Sequence, residues 1–415
     1  MPICKDWNRT MDLMNEKLGK KIRRWAIYLI LGRATDALRI ISNQLCRLSF
    51  GYANYSKSFQ SNTPPIISRS RAFINVMIPN LHDGNSFPKL VARHFDRKYL
   101  VEEYFPSKRR SLNKRNSSQI EIFHLHFIDQ MRLDYSQTIA LIDDLRAANI
   151  KIVVTAHDLT PHTKQPEIYD PLFQAWLGAA DGIIHHSHWG ADLLQSRYRI
   201  SAGTKHAIIS FPGGQGKLRA TTSAQRTFAE ISLGLKKIPI RIGIVGAPRR
   251  ERLVTEFLEG FAKTERDDLE IACWSLDEHD IVPRDPRIVI AERYKHVSNY
   301  TFRMRMRACD VIAIPYQKDG EMLTTGVVNS ALDAGIGVLR TDWPFLKEVF
   351  GDAGIYVGSN AEGFAMGLSR LTVEDVESAK RASLELGASN NWRRIAQQYG
   401  IFYESLFEDG AASLE

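Results

Sequence analysis

The sequence predicts an α/β protein made of two doubly wound, mostly parallel sheets preceded by an extra N-terminal helical segment, and three observations predict it. At 415 residues the chain exceeds what one hydrophobic core ordinarily serves, so two domains are expected. From Ala72 onward, short apolar runs alternate with polar or glycine-containing turns and helical stretches, the mark of βαβ units. The runs are almost continuously apolar, as in parallel strands covered by helices on both faces.

Taken in order, residues 1–69 form a basic helical extension. Its core, KKIRRWAIYLILGRATDALRIISNQLCRL from Lys20 to Leu48, sets Trp25, Ile27, Leu29, Leu38, Ile41 and Leu45 among arginines. Such a helix either lies on an anionic membrane surface or packs its apolar face on the body. Residues 70–215 are read as the first domain, with strands at Phe73–Ile78, Ile120–Leu125, Ile150–Thr155, Gly182–His185 and His206–Ser210. The run from Pro106 to Gln119, PSKRRSLNKRNSSQ, has no core-forming residues and reads as an exposed basic loop. A Gly-, Thr- and Ser-rich stretch from Gly213 reads as the linker. Residues 239–390 carry the second set, at Ile240–Val245, Leu269–Trp274, Arg287–Ile290, Val311–Ile314, Val338–Leu339 and Ile355–Val357, and residues 391–415 form a closing helix.

The formal charge of +8 suits an anionic substrate, an anionic lipid surface or nucleic acid. The basic runs lack interleaved aromatics and no recognition motif is present, so no nucleic-acid partner is expected. Cys4, Cys46, Cys273 and Cys309 form no CxxC pair, which fits a reducing, cytoplasmic compartment. The longest apolar run, Trp25–Leu31, is too short to span a bilayer and is followed by no clean cleavage site, so peripheral attachment at the inner membrane face is the only membrane role expected.

In open α/β sheets ligands gather outside the carboxyl ends of the strands, so the residues just after each strand carry the site. After Ile240–Val245 comes Gly246, then Arg249, Arg250 and Arg252 at a helix start. Free backbone N–H groups, the helix dipole and planar guanidinium donors would hold a phosphate there, and a solvated basic turn is the alternative. GIVGAPRRE is not GxGxxG, which argues against a dehydrogenase. After Val311–Ile314, Gly320 and Gly326 relax the chain and Thr324 or Thr325 can cap the next helix, making a second anion site. In the first domain Ile150–Thr155 ends in Ala156-His157-Asp158, where a carboxylate could serve as general base, or where an Asx-type turn simply closes the strand. His185, His186 and His188 have no carboxylate partner pattern, and no metal site is expected.

Three segments carry a specific resemblance: the G-x5-[KR] turn at Gly246–Arg252, the run LTTGVVNSALDAGIGVLRTDWPFLKEVFG from Leu323 to Gly351, and the terminal NWRRIAQQYGIFYESLF from Asn391 to Phe407. Across about Ala72 to Phe407 the chain resembles the GT-B glycosyltransferases, especially the family-four-like group and related bacterial exopolysaccharide enzymes. The resemblance implies two Rossmann-like domains facing a cleft, with the tryptophan-led helix crossing back to brace the first domain. It implies a nucleoside-diphosphate sugar as donor substrate, no cofactor, and a saccharide or lipid-linked saccharide as acceptor. Arg252 falls where the family places a basic residue on the donor pyrophosphate, with Arg249 and Arg250 assisting. Gly84 falls in the first strand–helix loop near the donor phosphate or acceptor, and Arg293 and Tyr294 where the fold commonly holds the nucleobase or where a solvated turn would stand. His157 resembles the histidine aimed into the cleft, and His124 and His126 either share a family pattern or belong to the core.

The family's glutamate pair, E-x7-E, would fall at Met322 and Ser330, and Glu321 lies one place off. Thr324-Thr325-Gly326 resembles subgroups that use backbone amides instead, which leaves retention and inversion both open. With inversion Asp158 is the base; with retention His157 binds the donor sugar. The functional expectation is transfer of a hexosyl group in exopolysaccharide or cell-envelope synthesis. The alternative is a two-lobed protein that closes on a sugar or nucleotide without turning it over.

Overall fold

The computed structural model describes residues 74–79, 86–104, 120–159, 166–211, 213, 221–318 and 322–408. The chain divides into a unit over Met1–Arg69 and a unit over Ser70–Glu415, and the described residues all belong to the second. The basic N-terminal helix, the Pro106–Gln119 loop, Gly84 and Glu321 lie outside the described residues.

The first sheet comprises β1 (Ile74–Pro79), β2 (Tyr99–Tyr104), β3 (Ile122–Leu125), β4 (Lys151–Thr155), β5 (Gly182–His185) and β6 (Lys205–Ile208) in the spatial order β2-β1-β3-β4-β5-β6, all parallel. Around it stand α1 (Ser86–His94), α2 (Tyr135–Ala147), α3 (Pro166–Ala179) and α4 (His188–Arg197). The central strands β3 and β5 are buried along their whole length, which is why they read as unbroken apolar runs. The edge strand β2 escapes that reading: Tyr-Leu-Val-Glu-Glu-Tyr buries one residue and leaves charges outward, so it carries no continuous apolar signal.

A helix, α5 (Ser223–Leu233), occupies the stretch that the sequence reads as linker. Its cause is local. Thr222 and Gln225 cap each other's backbone in a reciprocal box at the start, and Gly234, at φ +69°, ends it.

The second sheet holds β7 (Ile240–Ile244), β8 (Leu269–Leu276), β9 (Ile288–Arg293), β10 (Val311–Ile314), β11 (Gly337–Arg340) and β12 (Ile355–Tyr356) in the order β12-β11-β10-β7-β8-β9, again parallel throughout. Its helices are α6 (Val254–Ala262), α7 (Asn299–Arg307), α8 (Gly326–Ala334), α9 (Pro344–Phe350), α10 (Ala361–Arg370) and α11 (Val373–Ser389). The strand order reverses between β1 and β3 in the first sheet and between β7 and β10 in the second. At such a reversal the flanking connections leave in opposite directions and open a crevice at the carboxyl ends of the strands.

The last helix, α12 (Trp392–Ser405), packs on the first sheet rather than the second. Trp392 meets Phe87 of α1 edge-on at 5.4 Å, the Tyr403 hydroxyl bonds His124 Nδ1 at 2.6 Å, and Glu404 accepts from Tyr99 at 2.6 Å.

At the amino-terminal edge of the second sheet, Arg241 is fully buried between Glu230 (2.8 Å) and Glu270 (2.7 Å). Asp310 accepts from the Arg241 backbone (2.8 Å), Arg226 (2.6 Å) and Lys380 (2.9 Å), tying α5 and α11 to the sheet. Asp310→Ala leaves these donors without their carboxylate, and about 3–5 kcal/mol of stability is the expected loss, measured as a lower urea midpoint.

Candidate active site

On the second sheet the reversal between β7 and β10 brings two chain turns together. Gly246 leaves β7 at φ +98°, and a Cβ there would stand 2.6 Å from Val327 Cγ2 in the first turn of α8. Only glycine gives both that backbone and that approach. Thr325 caps α8, its hydroxyl accepting from the Val327 N–H at 3.5 Å. Gly326 at the first helical position is exposed, with open space where a Cβ would be. The start of α8 therefore presents its backbone N–H groups beside the Gly246 turn, as an anion site requires.

Arg252 lies beneath this turn with 8% of its surface exposed. It donates to the carbonyls of Val245 (3.3 Å), Gly246 (3.4 Å) and Ala247 (3.3 Å) and to Ser275 Oγ, and it stacks over the Tyr316 ring at 5.7 Å. Its Nε has no hydrogen-bond partner, and among the described residues no carboxylate pairs with it. A guanidinium held by neutral oxygens keeps its charge uncompensated, so the turn above it sits in a positive field. Arg249 stands where its charge pulls the Asp158 carboxyl down, which places it toward the first domain, and Arg250 is exposed beside Glu251 at 3.3 Å. Arg293 and Tyr294 stand at the end of the edge strand β9, Arg293 donating to the Asp277 carbonyl at 2.8 Å. Arg252 and Arg293 thus flank opposite sides of the β8 exit.

Across from it, histidines stand just beyond β3 (His126), β4 (His157) and β5 (His186). His124 is wholly buried with both ring nitrogens bonded, to Tyr403 (2.6 Å) and to Thr155 Oγ1 (2.8 Å), and it belongs to the core. His126 Nδ1 lies 3.3 Å from His157 Nε2, and His186 Nδ1 bonds the Ile209 carbonyl at 2.9 Å. Burial, reinforced by the neighbouring imidazoles, pushes His126 and His157 well below the usual histidine range, so this cluster is neutral. His185 pairs with His206 at 3.0 Å, and among the described residues no group of three or more His, Cys, Asp or Glu could hold a metal ion.

The resemblance points the His157 ring into the cleft; the structure lays it under Phe127 (4.5 Å, stacked) and Phe87 (4.9 Å, edge-on), with 5% of the residue exposed. Thr155 looks toward α12, its hydroxyl 3.4 Å from that of Tyr399, and His157 packs beside His126 and His186 as well as Phe87. Burial raises the Asp158 carboxyl to about 7, offset by Arg249 and reinforced by Asp129 and Glu251. Asp129, His157 and Asp158 line one small cavity with His126, Phe127 and Phe173.

Main-chain contacts join the two halves. Met322 forms an antiparallel bridge with Asp158, and the Thr324 hydroxyl donates to the His157 carbonyl at 3.3 Å. Met322 and Ser330, at the two glutamate positions of the resembling enzymes, are otherwise engaged: Met322 is buried in that bridge and Ser330 donates to the Gly326 carbonyl at 3.3 Å. Asp129, Ser275, Leu323 and Glu348 were not singled out by the sequence, although Ser275, next to last in β8, lies at the carboxyl edge where ligands gather.

No protein-family model matches the chain, and no curated protein matches its sequence. Solved structures do match. HepE of Anabaena, crystallised with UDP and glucose, superposes with a TM-score of 0.59 at 13% identity over 80% of this chain and 100% of that one. A glycosyltransferase of Rickettsia africae ESF-5 gives 0.53 at 13% identity over 82% and 100%. The α,α-trehalose-phosphate synthase of Burkholderia xenovorans, bound to glucose-6-phosphate, gives 0.51 at 9% identity over 80% and 100%. The chain has the two-sheet GT-B fold.

Proposed function

We propose that this protein is a glycosyltransferase that moves a hexosyl group from a nucleoside-diphosphate sugar to a saccharide or lipid-linked saccharide in exopolysaccharide or cell-envelope synthesis. One observation carries the reading: at the β7/β10 reversal the Gly246 turn, the open α8 start at Gly326 and the uncompensated Arg252 charge converge, and Asp158 stands across from them. The diphosphate occupies the α8 start, with Arg249 and Arg250 at its margin and Arg293 and Tyr294 toward the base. The presence of UDP, UDP with glucose and UDP-glucose in crystals of HepE supports this class of ligand.

In the transfer step the Asp158 carboxylate takes the proton of the acceptor hydroxyl. That oxygen bonds to the anomeric carbon as the bond to the diphosphate breaks, and the nucleoside diphosphate leaves with the electron pair. Attack opposite the leaving group inverts the anomeric centre. Fixed N–H dipoles and arginines stabilise the departing charge without reorganising, which is where most of the rate enhancement would arise. His157 holds Thr324 through its carbonyl and lines the cavity beside Asp158.

A thermal-unfolding screen against UDP, GDP and their sugars tests the donor assignment. A ligand at one hundred times its Kd stabilises by about 2.7 kcal/mol, so the correct nucleotide should raise the melting temperature by several degrees. Product detection with the stabilising sugar separates a transferase from a protein that only binds. No shift with any nucleotide would remove the reading.

A further inference from the structure

The residues that join the two halves do more than touch. Leu323 comes from the loop that leads into α8, yet it is 2% exposed within the hydrophobic cluster of the first domain. Its side chain sits against α4, where a Cβ on Gly190 would lie 3.8 Å from Leu323 Cβ. Its neighbours on either side make the polar contacts to β4: Met322 bridges Asp158 and Thr324 donates to the His157 carbonyl. Three consecutive residues of the second domain are thus built into the strand end that carries the acceptor-side carboxylate.

A second anchor lies nearby. Glu348 of α9 accepts the N–H groups of His188 (2.5 Å) and Trp189 (3.1 Å), the first two of α4, and Trp189 meets Trp343 edge-on at 6.2 Å. A carboxylate on two unpaired helix amides is a favourable charge-assisted contact. It fixes α4, and α4 forms part of the seat that Leu323 occupies.

We propose that Leu323 is the positioning residue that sets Asp158 against the donor helix start, so that the base is placed only while the Thr324–Gly326 segment is seated on the first domain. The inference rests on the transferase reading above and adds to it a physical link between donor site and base. Burying one leucine in the opposite domain's core supplies the favourable contact, and the bridge at Met322 transmits it to the Asp158 main chain. Leu323 touches neither proposed substrate, so its loss should leave donor binding alone and misplace the base. A displacement of about 1 Å at the reacting group can lower the rate about a hundredfold.

The test uses the full chain with Leu323→Ala and with Leu323→Met, which keeps the volume. UDP affinity is measured by calorimetry, turnover with UDP-glucose, and local opening by hydrogen exchange of the amides at Thr155–Leu159. For Leu323→Ala, kcat should fall about a hundredfold. The UDP Kd and the donor KM should stay within about threefold, since no donor contact is lost. Exchange at Thr155–Leu159 should quicken while that of β8, in the second sheet, does not. Leu323→Met should recover most of the turnover and the protection. The inference is overturned if turnover and UDP affinity fall in parallel, if turnover falls without faster exchange at Thr155–Leu159, or if neither changes. Absence of UDP binding and of turnover in the unsubstituted chain would instead remove the transferase reading, and this inference with it.

Discussion

Gly326→Glu is expected to abolish nucleotide binding while leaving the fold as stable as before or slightly more so. The two effects have opposite signs for one physical reason. A carboxylate in the first turn of a helix complements the macrodipole, worth about 0.3–1 kcal/mol. There is open space at Gly326 for an added Cβ, and its φ is not positive, so the backbone adds no strain against that gain. The same carboxylate occupies the place proposed for the diphosphate and repels it. Like charges about 4 Å apart at an effective dielectric near 20 interact by about 4 kcal/mol, which corresponds to a loss of roughly a thousandfold in affinity. Calorimetry with UDP and thermal unfolding measure both effects on one preparation. Gly326→Ala, a methyl group in open space, should weaken binding by less than about tenfold. If Gly326→Glu binds UDP as tightly as the unsubstituted chain, the diphosphate is not at the start of α8.

How much of this was legible in the sequence depends on the range of the interactions involved. The central strands β3, β4, β7, β8 and β10 are nearly continuous apolar runs because both faces are covered, and a run of that kind is visible without knowing its neighbours. The edge strand β2 is not visible, because its apolar signal is diluted by the exposed Glu102 and the half-buried Glu103. Helix starts are also local. The head of α8 could be placed from a threonine cap, at Thr324 or Thr325, and the structure gives it to Thr325; the box at Thr222–Gln225 carried the same signal for α5 inside a stretch whose glycines and serines suggested a linker.

What depends on contacts distant in sequence was not readable. That Arg252 spends its donors on the carbonyls of Val245, Gly246 and Ala247 follows from how the turn after β7 folds back over it. That His157 turns its ring toward Phe87 and Phe127 follows from which layer covers that face of β4. Leu323 reads as one more apolar residue before a helix, and Glu348 as a charge on a short one. Their partners on α4 lie more than a hundred residues earlier in the chain.

Asp158→Asn is expected to lower turnover by about 10²- to 10⁴-fold while UDP affinity holds, because the proton acceptor is removed and no donor contact is. On the transferase reading the unsubstituted protein should gain activity with rising pH, half-maximal where the Asp158 carboxyl titrates, at about 7, since only the carboxylate can accept the proton. Among the described residues, Arg249 favours the charged form of Asp158, and Asp129 and Glu251 disfavour it. Arg249→Met should therefore move the half-maximal pH upward, and Asp129→Asn downward. Stability gives an independent sign. The folded carboxyl titrates above its ordinary value of 3.8, so the folded state holds this proton more tightly than the unfolded chain. That contribution is complete below about pH 4 and is lost as the pH climbs toward about 7. Asparagine has no charge to desolvate and escapes the loss, so Asp158→Asn should melt no lower than the unsubstituted protein at pH 8 while being far less active. A variant that is inactive because it is unfolded would fail that comparison. A rate profile flat from pH 5 to 9, or one unchanged by the substitution, would assign the base to another group.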